Sequence, residues 1–220
     1  MTGTDTNQRP QRSARPARLG VMGGTFDPIH IGHLVIAEEA RVRLSLDEVL
    51  FMPARVSPFK LGNTCATGDD RYHMVRLAIA DNPSFRVSRM ELDRQGPSYT
   101  VDTLKALREA YGSQVEPYFI LGMDSLETLP HWRRPNDIIR LARLVVVTRP
   151  GFAVDWRALE GAIPGLRRAT EMIDTVRLDI SSTELRERVR EGMPIRYLVP
   201  APVEAYIREH RLYAREGDAP

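Results

Sequence analysis

Short apolar runs that do not alternate recur along this chain, and several are followed by a segment of helical period. Strands covered on one face alternate apolar and polar residues, whereas strands covered on both faces read as continuous apolar runs. Residues 19–22 form such a run, closed by Gly23-Gly24. The spacing predicts a helix over 33–44, with Ile36, Ala37, Ala40 and Leu44 along one face. A second strand spans 48–52 and stops at Pro53. A loop holding Pro58, Gly62 and Gly68 leads to a helix through Ala80, capped by Asp69 or Asp70. A strand at 85–88, a helix over 100–111 and strands at 118–121 and 144–148 continue the alternation. The last strand is expected at 176–180, before helices at 183–191 and 202–210. This order predicts an α/β fold: a Rossmann-like, doubly wound, mostly parallel sheet with helices on both faces and a small C-terminal helical part. Ligands of such sheets bind beyond the carboxyl ends of the strands, so the loops that follow each strand are the places to seek chemistry.

A chain of 220 residues buries roughly 70% of its extended surface on folding, so it needs no covalent staple. The single cysteine, Cys65, excludes an internal disulfide framework and a cysteine-based zinc site. No apolar run approaches the roughly 18 residues of a membrane span, and a cytoplasmic protein without a membrane partner is expected. The net charge of +2 is unevenly placed. Residues 1–18 carry Arg9, Arg12, Arg15 and Arg18 against Asp5, whereas the remainder has 27 basic and 28 acidic residues. The tail has no apolar core of a signal sequence, and Pro10 and Pro16 would break a helix. Residues 1–17 are therefore expected as a disordered basic tail on a single domain over 18–216. A near-neutral body argues against a nucleic-acid partner, and the sequence leaves the oligomeric state open.

The loop after the first strand reads Gly23-Gly24-Thr25-Phe26-Asp27-Pro28-Ile29-His30-Ile31-Gly32-His33. It is neither a GxGxxG turn nor a P-loop. Glycines let the backbone approach a ligand closely, and two imidazoles at a helix start can join its exposed N–H groups in holding phosphate oxygens. A metal held by His30, His33 and Asp27 is the competing reading, but no further ligand stands at an obvious spacing, and no protein-held metal is expected. This segment resembles the signature of the HxGH nucleotidylyltransferase superfamily, and residue for residue it is similar to the bacterial nicotinate mononucleotide adenylyltransferases. The resemblance extends over about 18–213.

Further motifs follow other strands. Ser181-x-x-Glu184 is a capping box on the helix after the last strand, and Arg186 lies one turn in. The resemblance implies that Ile180, Ser181, Ser182, Thr183 and Arg186 hold ATP, with Arg186 on its β- and γ-phosphates. It also implies ATP contacts from Gly23, Gly24, Thr25, Phe26, His30 and His33. Gly122-Met123-Asp124-Ser125 closes the strand at 118–121, where Asp124 either caps a short helix or, as the family has it, bonds ribose hydroxyls. Ser98 or Thr100 is a candidate cap for the helix at 100–111. Trp132 beside Arg133 suits either stacking on an aromatic ring or packing under a loop.

The resemblance assigns the mononucleotide to Gly24, Thr25, Lys60, Tyr99, Thr100, Asp124, Trp132 and Arg133. In it, Trp132 stacks on the pyridine ring and the N–H groups of Thr100 and Arg133 hold the carboxylate. His30, His33, Lys60 and Arg186 are the implied catalytic group. Many relatives carry a histidine in the loop after the second strand, where this chain reads Ser57-Pro58-Phe59-Lys60, so no role of that imidazole transfers. The implied reaction moves AMP from ATP to nicotinate mononucleotide, giving deamido-NAD and pyrophosphate, with Mg²⁺ carried on the ATP phosphates. The rival readings are nicotinamide mononucleotide or another phosphate-bearing acceptor, or a non-catalytic nucleotide sensor or RNA-binding protein.

Overall fold

A computed structural model of the protein describes residues 17–56, 64–148, 154–176 and 178–215. The chain runs β1 (Ala17–Gly24), α1 (Ile31–Arg43), β2 (Glu48–Pro53), α2 (Gly68–Ala78), β3 (Phe85–Val87), α3 (Met90–Asp93) and α4 (Thr100–Tyr111). It continues through β4 (Val115–Gly122), α5 (Met123–Thr128), α6 (Pro135–Leu141), β5 (Arg143–Thr148), α7 (Trp156–Ala162), β6 (Thr170–Asp174), α8 (Ser182–Arg190) and α9 (Ala201–Glu209). The strands form one sheet in the order β3-β2-β1-β4-β5-β6, and each neighbouring pair is parallel. The expected α/β architecture is thus present.

Period-two alternation sends successive strand residues to opposite faces. Met22, Val49, Phe51, Ile120, Val145 and Val147 pack on one face with Ala37 and Ala40 of α1, Met74 and Val75 of α2, Leu185 of α8 and Val203 and Ile207 of α9. Leu19, Val21, Leu50, Met52, Phe119, Leu121, Leu144 and Val146 pack on the other with Val101, Leu104 and Leu107 of α4, Leu126 of α5 and Ile138 of α6. Both faces of the central strands are covered, which is why their sequences do not alternate. Gly20 serves this packing: a Cβ there would stand 2.9 Å from Leu46 Cδ1.

Some expectations need correction. The last strand is Thr170–Asp174, not 176–180. Val176 is 61% exposed and Leu178 39% exposed, and Leu144 to Thr148 pair in register with Thr170 to Asp174 instead. The cap of α2 is Thr67, whose hydroxyl accepts the Asp70 N–H at 3.1 Å; Asp69 and Asp70 lie in the first turn, where negative charge suits the helix dipole. The cap of α4 is the backbone of Tyr99, not Ser98 or Thr100. β1 begins at Ala17, paired with Val115, one residue before the expected domain start.

The chain passes from β1 outward to β2 and β3, then returns to lay β4 against the other side of β1. The two halves of the fold therefore diverge at the carboxyl ends of β1 and β4, the switch point at which sheets of this kind form their ligand crevice.

Candidate active site

The loop from Gly24 to His30 occupies that crevice, and other elements hold its carbonyl oxygens. Ala54 N–H donates to the Gly24 carbonyl at 2.9 Å. Arg71 Nη1 donates to the Thr25 carbonyl at 2.7 Å, and Arg186 Nη1 to the Asp27 carbonyl at 2.7 Å. The Ser182 hydroxyl donates to the Pro28 carbonyl at 2.9 Å. Phe26 takes a left-handed backbone with φ 51°, unusual for an aromatic residue, and its ring fills the place a Cβ on Gly24 would need, 2.9 Å away.

Asp27 is buried, and its carboxylate is engaged within the protein. Its carboxylate accepts the N–H groups of Cys65 at 2.8 Å and Ala66 at 3.1 Å and the hydroxyl of Tyr213 at 2.8 Å. Burial among these groups pushes the Tyr213 hydroxyl pKa up. Asp27 is thus a hub of the loop. Among the described residues, no three His, Cys, Asp or Glu side chains are placed to hold a metal ion.

His30 caps α1 with extended backbone and is only 7% exposed. Its N–H donates to His33 Nδ1 at 3.2 Å. In a neutral ring whose Nδ1 accepts, Nε2 carries the proton, so His33 presents an Nε2–H donor. The two rings lie 3.7 Å apart between centroids, and Phe26 meets His33 edge-on at 5.1 Å. Burial lowers the His30 pKa to about 4, so this imidazole is neutral near pH 7. His30 Nδ1 is buried without a partner, and a Cβ on Gly32 would stand 3.0 Å from it. The glycine between the histidines is therefore the room that the first ring occupies.

α8 begins beside this loop. Ser181 caps it, its hydroxyl accepting the Glu184 N–H at 3.1 Å. Ser181 and Thr183 are exposed, Ile180 and Ser182 half-buried. Arg186 also reaches Thr183 Oγ1 at 3.4 Å. The two motifs expected to hold ATP, at 23–33 and 180–186, thus touch across 154 residues of sequence through Ser182 and Pro28.

On the β4 side, Gly122 caps α5 and is exposed, as is Asp124 in the first turn. Asp124 is not the helix cap, which leaves its carboxylate at the strand end. Phe119 links this side to β1, lying 3.5 Å from where a Gly23 Cβ would be and meeting Trp132 edge-on at 6.2 Å. Trp132 is half-buried, and its indole N–H donates to Thr128 Oγ1 at 3.4 Å. The Arg133 guanidinium covers the Tyr99 ring at 4.7 Å and approaches Asp102 at 3.5 Å. Thr100 opens α4, so the helix itself does not use its N–H. Arg133 thus meets Tyr99, and Tyr99 and Trp132 pack against the same side of the sheet. Lys60 and Phe59 lie outside the described residues. A separate cavity of about 410 Å³, lined by Arg108, Arg140, Arg143 and Arg168, lies at the amino ends of β4 and β5, far from the histidines in the sheet.

A cytidylyltransferase-like family model matches residues 21–188, the span that contains both histidines and Arg186. A protein of Roseiflexus sp. named "Probable nicotinate-nucleotide adenylyltransferase" is 53% identical over 197 residues, covering 90% of this chain and 98% of that protein. One of the same name from Dehalococcoides mccartyi is 46% identical over 200 residues, covering 90% and 98%. This chain belongs to the nicotinate-nucleotide adenylyltransferase family. The fold agrees with a solved structure described as "Plasmodium falciparum nicotinic acid mononucleotide adenylyltransferase complexed with NaAD", with TM-score 0.72 at 20% identity over 90% of this chain and 97% of that one.

Sequence reasoning missed Arg71 and Tyr213 and weighed Asp27 only as a metal ligand. Arg71 did leave a signal. It shares one face of α2 with buried Met74, Val75 and Ala78, at the spacing of a core stripe.

Proposed function

We propose that the crevice transfers AMP from ATP to the phosphate of nicotinate mononucleotide, giving deamido-NAD and pyrophosphate. The observation that carries this reading is the meeting of the His30–His33 turn with the N-terminus of α8 at the β1–β4 switch point. A phosphate monoester has a second pKa near about 6, so much of the attacking group is already dianionic at pH 7 and needs no general base. Its oxygen attacks the α-phosphorus of ATP in line, and the bond to the β-phosphate oxygen breaks. Positioning and charge stabilisation then supply the catalysis.

His33 Nε2–H and the N–H groups of the Gly24–Phe26 turn hold phosphate oxygens as charge moves to the leaving pyrophosphate. Arg186 and the first turn of α8 hold the β- and γ-phosphates. Ile180 lies beside the adenine, and Asp124 accepts from ribose hydroxyls. Trp132 and Tyr99 flank the pyridine ring. The Thr100 N–H at a helix N-terminus, with the Arg133 N–H, supports a pyridine carboxylate over an amide. Lys60 adds a cation from the loop after β2. Mg²⁺ enters with ATP, on its phosphates, as part of that substrate. Residues 17–216 act as one catalytic domain in the cytoplasm, with 1–16 as a dispensable extension.

An end-point assay with ATP, Mg²⁺ and either nicotinate or nicotinamide mononucleotide tests the reading. Deamido-NAD is the expected major product, and absence of dinucleotide with both acceptors overturns it. His33→Ala should lower kcat by about 10²- to 10³-fold, as loss of one transition-state donor does elsewhere, while the melting temperature stays within a few degrees. A variant with wild-type kcat removes His33 from the mechanism.

A further inference from the structure

Arg71 is among the largest fully buried side chains of the protein, with only 1% exposure. A guanidinium is rarely buried without a task, because its charge must leave water. Here the fork is aimed at backbone. Nη1 donates to the Thr25 carbonyl at 2.7 Å and Nη2 to the Arg55 carbonyl at 3.5 Å, while Nε is buried without a partner. The Asp27 carboxylate offsets part of the cost of burying this charge. Asp27 is in turn fixed by the Cys65 and Ala66 N–H groups and by the Tyr213 hydroxyl.

The consequence lies in the peptide units. In a trans peptide the carbonyl and the following N–H point in opposite directions. The Gly24 carbonyl is held by Ala54 and the Thr25 carbonyl by Arg71. The N–H groups of Thr25 and Phe26 are therefore turned away from those partners. Successive N–H groups around a left-handed residue form an anion-binding concavity, and Phe26 has φ 51°. That conformation is costly for an aromatic residue and persists only where its surroundings over-determine it.

We infer that Arg71, braced through Asp27 by Tyr213, is a positioning residue that holds the Thr25–Phe26 turn in its anion-binding form. It touches no substrate and acts through backbone N–H groups on the phosphates. Tyr213 brings the end of the chain after α9 into the same device. The inference rests on the proposed adenylyl transfer for its kinetic readout, whereas its binding readout is independent of the acceptor.

The test uses the full chain with Arg71→Lys, which keeps the charge and loses the fork, and Tyr213→Phe, which keeps the ring and loses the hydroxyl. Arg71→Lys should lower kcat at least about tenfold and weaken inorganic pyrophosphate binding at least about fivefold, with the KM for nicotinate mononucleotide within about threefold. Tyr213→Phe should move kcat and pyrophosphate affinity in the same direction by about threefold, with little change in melting temperature. A folded Arg71→Lys with wild-type kcat and pyrophosphate affinity overturns the inference, as do losses that merely follow the fraction unfolded. Should Arg71→Lys fail to fold, Tyr213→Phe decides, and wild-type values there overturn it. Wild-type protein that makes no dinucleotide refutes the proposed reaction alone, because pyrophosphate affinity still reads the turn.

Discussion

A methyl group on Gly32 would meet the His30 ring at 3.0 to 3.1 Å, so one hydrogen atom at this position keeps two imidazoles in place. Gly32→Ala should displace His30, disturb the bond from its N–H to His33 and lower kcat by about tenfold or more; alanine suits a helix better than glycine, so stability should fall little. Steady-state kinetics beside a thermal melt separate the two effects. His30 also makes a pH prediction. Its pKa falls from 6.5 in the unfolded chain to about 4 in the fold, so between those values the unfolded state binds more protons. The contribution is fully present above pH 6.5 and is lost as pH falls toward 4, to a total of about 3 kcal/mol. His30→Gln should flatten the difference in urea stability between pH 7 and pH 5, and an unchanged slope counts against the burial of this ring. The histidine pair was legible in the sequence because its chemistry is local, being a turn, two imidazoles and the gap between them. Arg71 and Tyr213 were not. Their partners, Thr25 and Asp27, lie 46 and 186 residues away, and no local spacing encodes such distances.

At the scale of elements, β-propensity misplaced the last strand. Val176, Leu178 and Ile180 read as a strand, yet Thr-Glu-Met-Ile-Asp pairs with β5. β6 is an edge strand with one neighbour, and of its five residues only Ile173 is buried, so it carries almost no apolar signal. Helix α4 spans the expected 100–111, and of the residues spaced to face a core Leu104 and Leu107 are buried, whereas Ala110 and Tyr111 in the last turn are exposed. The short helices α3, α5, α6 and α7 have seven residues or fewer and are below the length at which a period can be read. The strand assignment has a direct check. Ile173→Ala should cost about 2–4 kcal/mol by removing buried methylenes, whereas Val176→Ala should stay within about 0.5 kcal/mol. Equal losses in a denaturant titration would restore 176–180 as the strand.

For the whole molecule, the sheet sets the distance between motifs that sequence holds apart. Placing β4 beside β1 brings the segments at 99–100 and 132–133 to the same end of the sheet as the turn at 24–33, and α8 returns to touch that turn. The net charge of +2 then acquires a place. The body is near neutral, and among the described residues Arg71 is committed to Thr25, Arg186 to Asp27 and Arg133 to Tyr99 and Asp102. The remaining excess belongs to the tail. β1 is anchored from its first residues without it. Ala17 pairs with Val115, Arg18 N–H donates to Asp47 Oδ2 at 2.7 Å, and the Arg18 carbonyl accepts the Asp47 N–H at 2.9 Å. Deleting residues 1–16 should therefore leave kcat/KM within about twofold and the melting temperature within a few degrees, because the pairings that anchor β1 start at Ala17. If the tail instead served a nucleic-acid function, the deletion would abolish RNA binding, and that binding would weaken steeply with salt in the full chain. Adenylyl transfer carried by the crevice alone predicts the opposite result: turnover at moderate salt that is the same in both proteins.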